Sequence, residues 1–88
     1  MNNNTKKLEN TLKLYLRNNN LKELKSLLDN ISDKHSYLYL YFTGLYNLQI
    51  NQHHDAIANL KEAYNSDNTS LLPLYNISIA YIRSFKYQ

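Results

Sequence analysis

Cysteine and tryptophan are absent from this 88-residue chain, and glycine and proline occur once each. Without cysteine there are no disulfides and no thiolate metal sites, so an oxidising compartment is not required. One glycine and one proline supply too little turn chemistry for a many-stranded β fold, and they exclude a glycine-rich phosphate loop. No eighteen apolar residues run together, and the start, Met1-Asn2-Asn3-Asn4-Thr5-Lys6-Lys7, has no apolar core of a signal peptide. The expectation is a cytoplasmic chain with no membrane role. Its length suits one domain spanning residues 1–88, because a chain this short buries only about 60 to 65% of its unfolded surface. Acidic residues are few as well: seven Asp and Glu face ten Lys and Arg, for a net charge of +3. The bases Lys6, Lys7, Lys13, Arg17, Lys22 and Lys25 gather near the start. That density suits an acidic partner and falls short of what phosphate backbones usually meet.

What the chain does have is helical periodicity. Leu8, Leu12, Tyr15 and Leu16 follow a 3.6-residue period, and Glu9 with Lys13 makes a favourable i,i+4 pair. Asn18-Asn19-Asn20 breaks the pattern, since Asn tolerates the left-handed conformation that ends a helix, and Asn20 with Glu23 resembles a capping box. A second helix follows through Leu21, Leu24, Leu27, Leu28 and Ile31, and stops at Ser32-Asp33-Lys34-His35-Ser36. From Tyr37 to about Ile50 the chain is apolar on almost every side, so this third helix must be flanked on both sides. An alternating strand over Tyr37 to Phe42 is the competing reading. After Asn51-Gln52, Ala56, Ile57, Leu60, Ala63 and Tyr64 make the stripe of a fourth helix, with Ala56 and Ala63 leaving room for close approach to Gly44. Ser70 caps a fifth helix, Leu71 to about Ser84, with Pro73 in its first turn.

The third and fifth helices share an address. Leu40, Tyr41, Gly44, Leu45, Leu48 and His53 recur thirty-four positions on as Leu74, Tyr75, Ser78, Ile79, Ile82 and Tyr87. A thirty-four-residue helical hairpin with a small residue in its first helix and two alanines in its second resembles the tetratricopeptide repeat. Residues 37–70 resemble one full repeat and residues 71–88 the first half of another. Residues 8–36 match more loosely, in a repeat about two residues short. Thr43, Asn47 and Asn68 depart from the family's usual leucine, tyrosine and proline, and Leu12 is large where a small residue is usual. The resemblance implies an all-α, right-handed stack of antiparallel hairpins, about five helices with the last hairpin incomplete. Leu74, Ile77 and Tyr81 would then lack cover, which predicts self-association through the last helix, a partner's helix, or a segment of a larger protein, an enzyme among the options.

Such arrays bind on a concave face lined by the first helix of each hairpin. Carried over, that face holds Lys13, Leu16 and Arg17, then Leu38, Tyr41, Phe42, Leu45 and Leu48, then Tyr75, Ile79, Ile82 and Arg83. The five positions at which some relatives grip terminal carboxylates hold Glu9, Lys13, Phe42, Leu72 and Asn76, so that clamp is missing. The expected partner is a protein or peptide offering the apolar face of an amphipathic helix, as to an adaptor or small chaperone. A helical-repeat RNA-binding module is the alternative from another class. No cofactor is implied. His53-His54-Asp55 lacks the i,i+4 spacing of a helical metal pair, and no carboxylate stands in a catalytic spacing with a His or Ser, so the reading is non-catalytic. Asn3, Asn30, Asn68 and Asn76 open glycosylation sequons that a chain rich in Asn produces by coincidence.

Overall fold

A computed structural model of the chain describes residues 3–86 and places five helices in order: α1 (Asn3–Arg17), α2 (Leu21–Asp29), α3 (Tyr37–Gln49), α4 (His53–Ser66) and α5 (Leu72–Lys86). Among the described residues there is no strand, and Tyr37 to Phe42 is helical. Tyr87, expected to pair in register with His53, lies outside the described residues.

Asparagine makes both tight turns. Asn19 and Asn51 take positive φ values of 58° and 63°, a conformation that Asn adopts more readily than other residues with a Cβ. Around Asn19 the chain closes a Schellman motif: Asn19 N–H donates to the Leu16 carbonyl at 3.1 Å and Asn20 N–H to the Tyr15 carbonyl at 2.8 Å. Around Asn51 the same pair recurs, from Asn51 to Leu48 at 3.2 Å and from Gln52 to Asn47 at 2.9 Å. These two left-handed residues lie thirty-two positions apart. The capping box at Asn20 does not form: the Asn20 side chain makes no cap bond, because Asn20 serves as the last residue of the Schellman turn with ψ near 70°. Helix α2 also ends earlier than its apolar stripe, at Asp29. Lys34 donates to the Leu28 and Asp29 carbonyls at 3.2 and 2.9 Å and lies 4.8 Å from the Tyr39 ring centroid, so it caps α2 while covering α3.

Packing follows chain order. α1 packs on α2, α2 on α3, α3 on α4 and α4 on α5, while α3 also touches α1 and α5. The all-round apolar α3 is therefore flanked on both sides. Within the α3–α4 hairpin the close approach is at Gly44, where an added Cβ would lie 2.7 Å from Leu60 Cγ and 3.5 Å from the Ala56 carbonyl oxygen. Ala56, Leu60 and Ala63 are fully buried along α4. Asn47, where the sequence departs from tyrosine, is buried yet satisfied: Asn59 Nδ2 donates to its Oδ1 at 2.9 Å, and its own Nδ2 reaches Gln52 Oε1 at 3.3 Å.

Two hydrogen bonds tie α5 to α3 at one sequence offset. Asn76 Nδ2 donates to Tyr41 Oη at 3.1 Å and Arg83 Nη1 to the Leu48 carbonyl at 3.4 Å, and each pair is thirty-five residues apart. A constant offset means that α5 runs parallel to α3 and repeats its orientation. Ile77, expected to lack cover, is only 8% exposed, because it packs inward with Ala80 and the buried Pro73.

Candidate functional site

The stack leaves a groove between α1 and α3, closed at one end by the α4–α5 loop, with a volume of about 690 Å³. Helix α1 contributes Lys13, Leu16 and Arg17, and α3 contributes Leu38, Tyr41, Phe42 and Leu45. Seven of the residues assigned from sequence thus surround one space. The periodicity of α3 accounts for this, since Leu38, Tyr41, Phe42 and Leu45 recur at helical spacing on the side facing α1.

The remaining five part company with the groove. Leu48 is only 4% exposed and belongs to the core, and its backbone carbonyl rather than its side chain engages α5. Tyr75, Ile79, Ile82 and Arg83 lie outside the groove. Tyr75 and Ile82 point to open surface at 64% and 60% exposure, whereas the Arg83 guanidinium is committed to the Leu48 carbonyl. Tyr41 and Phe42, assigned to the open concave face, are instead largely covered. At 9% and 2% exposure they offer the groove only an edge. Tyr41 stacks on Tyr37 with ring centroids 5.5 Å apart, meets Phe42 edge-on at 5.4 Å, and accepts from Asn76, so its ring is part of the wall that holds α5.

The sequence reading missed the other end of the groove. Ser36, Tyr37, Asp67, Thr69 and Ser70 close it. Ser36 is the N-cap of α3, accepting from Tyr39 N–H at 3.2 Å, and Ser70 Oγ accepts from Leu72 N–H at 3.2 Å at the start of α5. Asp67 accepts from the Thr69 N–H at 3.0 Å and from the Thr69 hydroxyl at 2.7 Å, which holds its carboxyl below the usual value and fixes the loop. Ser36 before an apolar run was a readable cap signal. The loop's approach to α1 was not, since it depends on how the hairpins stack.

Charge on the rim is balanced. Glu9 and Lys13 approach to 3.9 Å as the i,i+4 spacing predicts, and Asp67 joins Arg17 on the lining. Burial raises both tyrosines: Tyr37 by desolvation, against a hydrogen bond with Ser70, and Tyr41 by desolvation and the neighbouring Tyr37, against the bond from Asn76. Among the described residues no three His, Asp or Glu side chains gather where they would hold a metal ion, and no helix is long and apolar enough to cross a membrane. Comparisons with family models, with curated proteins and with solved structures give no match, so the reading of this groove rests on its own residues.

Proposed function

We propose that the chain is a tetratricopeptide-like interaction module that takes the apolar face of an amphipathic helix into the groove between α1 and α3. The observation that carries this reading is the groove itself: leucines and aromatic edges make its walls, and two cations and two anions stand on its rim. Its volume falls in the ordinary range of binding clefts, roughly 300 to 1,000 Å³. A partner helix would seat large apolar side chains at i, i+3, i+4 and i+7 between Leu16 and Leu45. The balanced rim supports a protein ligand over RNA, because phosphate binding calls for an excess of Lys and Arg along the track. The parallel alignment of α3 and α5 supports the repeat assignment from within the chain.

Leu38 and Leu45 are half-buried groove residues, better test positions than the buried Tyr41. Fluorescence anisotropy with a panel of labelled amphipathic helical peptides should give binding that Leu45→Glu weakens about tenfold or more. Far-UV circular dichroism should show the same helicity in both proteins. Peptide affinity unchanged in Leu38→Glu and Leu45→Glu would remove the groove from consideration. A single-stranded RNA that binds instead, with affinity falling steeply as salt rises, would move the assignment to nucleic acid.

A further inference from the structure

The outward half of α5 is apolar where the outward half of α4 is not. Phe85, Tyr75 and Ile82 are 76%, 64% and 60% exposed, with Leu74 and Tyr81 beside them and Leu71, the residue just before the helix, 68% exposed. On α4 the exposed positions include His54, Asp55, Lys61 and Glu62. One helix presents a face made for water and its neighbour presents a face that water serves poorly. Helix α3 shows what such a face takes. Its Leu40, Gly44 and Asn47 are buried in the hairpin with α4, whereas Leu74, Ser78 and Tyr81, thirty-four positions on, are exposed.

We infer that a second copy of this chain covers the face, the two α5 helices crossing antiparallel about a two-fold axis near Ser78. Leu71, Leu74, Ser78, Tyr81 and Phe85 are spaced three, four, three and four apart, the seam of a helix pair. A two-fold contact requires a patch that complements itself. This one does: Leu71 and Phe85 stand seven residues either side of the small Ser78, so each falls opposite the other across the axis, and Leu74 meets Tyr81 and Ile82. Ser78 Oγ already donates to the Tyr75 carbonyl at 2.6 Å, so burying it strands no hydroxyl proton. No charged residue lies between Leu71 and Ile82, and like charges are not opposed. Leu72 turns to the groove beside α1, and the other six side chains at these exposures present on the order of 600 Å² per copy, at the lower end of the roughly 600 to 1,000 Å² that each partner contributes to a standard interface.

The chain has no cysteine, which makes Ser78→Cys a unique reporter. Sedimentation equilibrium of the full chain across the micromolar range should give a dimer mass. Ile82→Glu should raise the dimer dissociation constant about tenfold or more while helicity is retained. Mild oxidation of the Ser78→Cys protein should yield a covalent dimer far faster than oxidation of Leu14→Cys, whose site on α1 is 48% exposed. Should Ile82→Glu lose helicity, Tyr75→Lys repeats the test at another exposed position, and the cross-linking comparison does not depend on either. A monomer at every concentration would overturn the inference, as would a dimer indifferent to these variants or Ser78→Cys cross-linking no faster than the α1 control. A monomer whose α5 face instead takes an added amphipathic peptide would hand the face to a foreign helix. Since Leu45→Glu lies in the other groove and should leave the dimer intact, failure here and failure of the peptide-binding proposal are separable.

Discussion

Gly44 is the residue on which the hairpin closes, and its substitution sets two effects against each other. Alanine in a helix is better than glycine by roughly 0.5 to 1 kcal/mol, but a Cβ at 2.7 Å from a buried Leu60 Cγ forces a shift that typically costs about 1 to 3 kcal/mol. Overpacking wins, so Gly44→Ala should lower stability by about 1 kcal/mol in urea unfolding. The cost of Leu60→Ala should then be smaller in the Gly44→Ala background than in the native one, a coupling that a double-mutant cycle reads directly. An additive cycle would mean that the two side chains do not meet. Thr43 offers the opposite case. Its hydroxyl is buried and makes no hydrogen bond among the described residues, where the resembled family carries leucine. Thr43→Val keeps the branched shape and removes the desolvated hydroxyl, so it should raise stability by about 1 kcal/mol in the same assay. Tyr37 and Tyr41 supply a pH dependence. Both have folded values raised above the ordinary 10.0 by burial, so the folded state holds their protons more tightly than the unfolded chain does. Their contribution is complete below the unfolded value and is lost as pH rises through the folded ones. Urea midpoints should fall on the alkaline side of about pH 10, and Tyr41→Phe should flatten that fall.

At the scale of elements, the two asparagine turns divide the chain into units. A β-branched residue at the left-handed position costs about 1 to 2 kcal/mol, whereas glycine has no Cβ to clash. Asn51→Val should therefore lower the melting temperature and Asn51→Gly should leave it nearly unchanged; equal effects would deny the Schellman turn its role. These turns were legible because the signal is local: a polar asparagine interrupting an apolar stripe is visible without any tertiary knowledge. The stripe of α4 and the small site at Gly44 were legible for the same reason, since periodicity alone says which residues face inward. The capping box at Asn20 misled because two local motifs competed for one residue, and the Schellman turn left Asn20 with the wrong backbone for a side-chain cap. Leu48 and Ile77 misled differently. Both sit where a repeat register assigns an open or uncovered place, yet α5 packs against α4 and α3 and both are buried, and no window of sequence reports that packing. Lys34 escaped notice because its partners on α2 and α3 are brought together only by the intervening loop.

The molecule as a whole is unevenly built, and the groove straddles the unevenness. Six residues of α3 and three of α4 are buried, against Leu12 alone in α1 and Leu24 and Leu28 in α2. Local opening free energy follows buried contact, so the α1–α2 unit should open before the α3–α4 hairpin does. One wall of the groove is therefore drawn from the looser unit and the other from the tighter. Native-state hydrogen exchange should show this as amides of α1 and α2 exchanging through openings of lower free energy than those of α3 and α4. A ligand that bridges Leu16 and Arg17 to Leu38 and Leu45 holds only the closed arrangement, and by mass action it stabilises whichever wall would otherwise open. Adding a bound helical peptide should thus slow exchange in α1 far more than in α4. Peptide that protected α5 instead, leaving α1 as labile as before, would place its binding on the outer apolar face and leave the groove without an occupant.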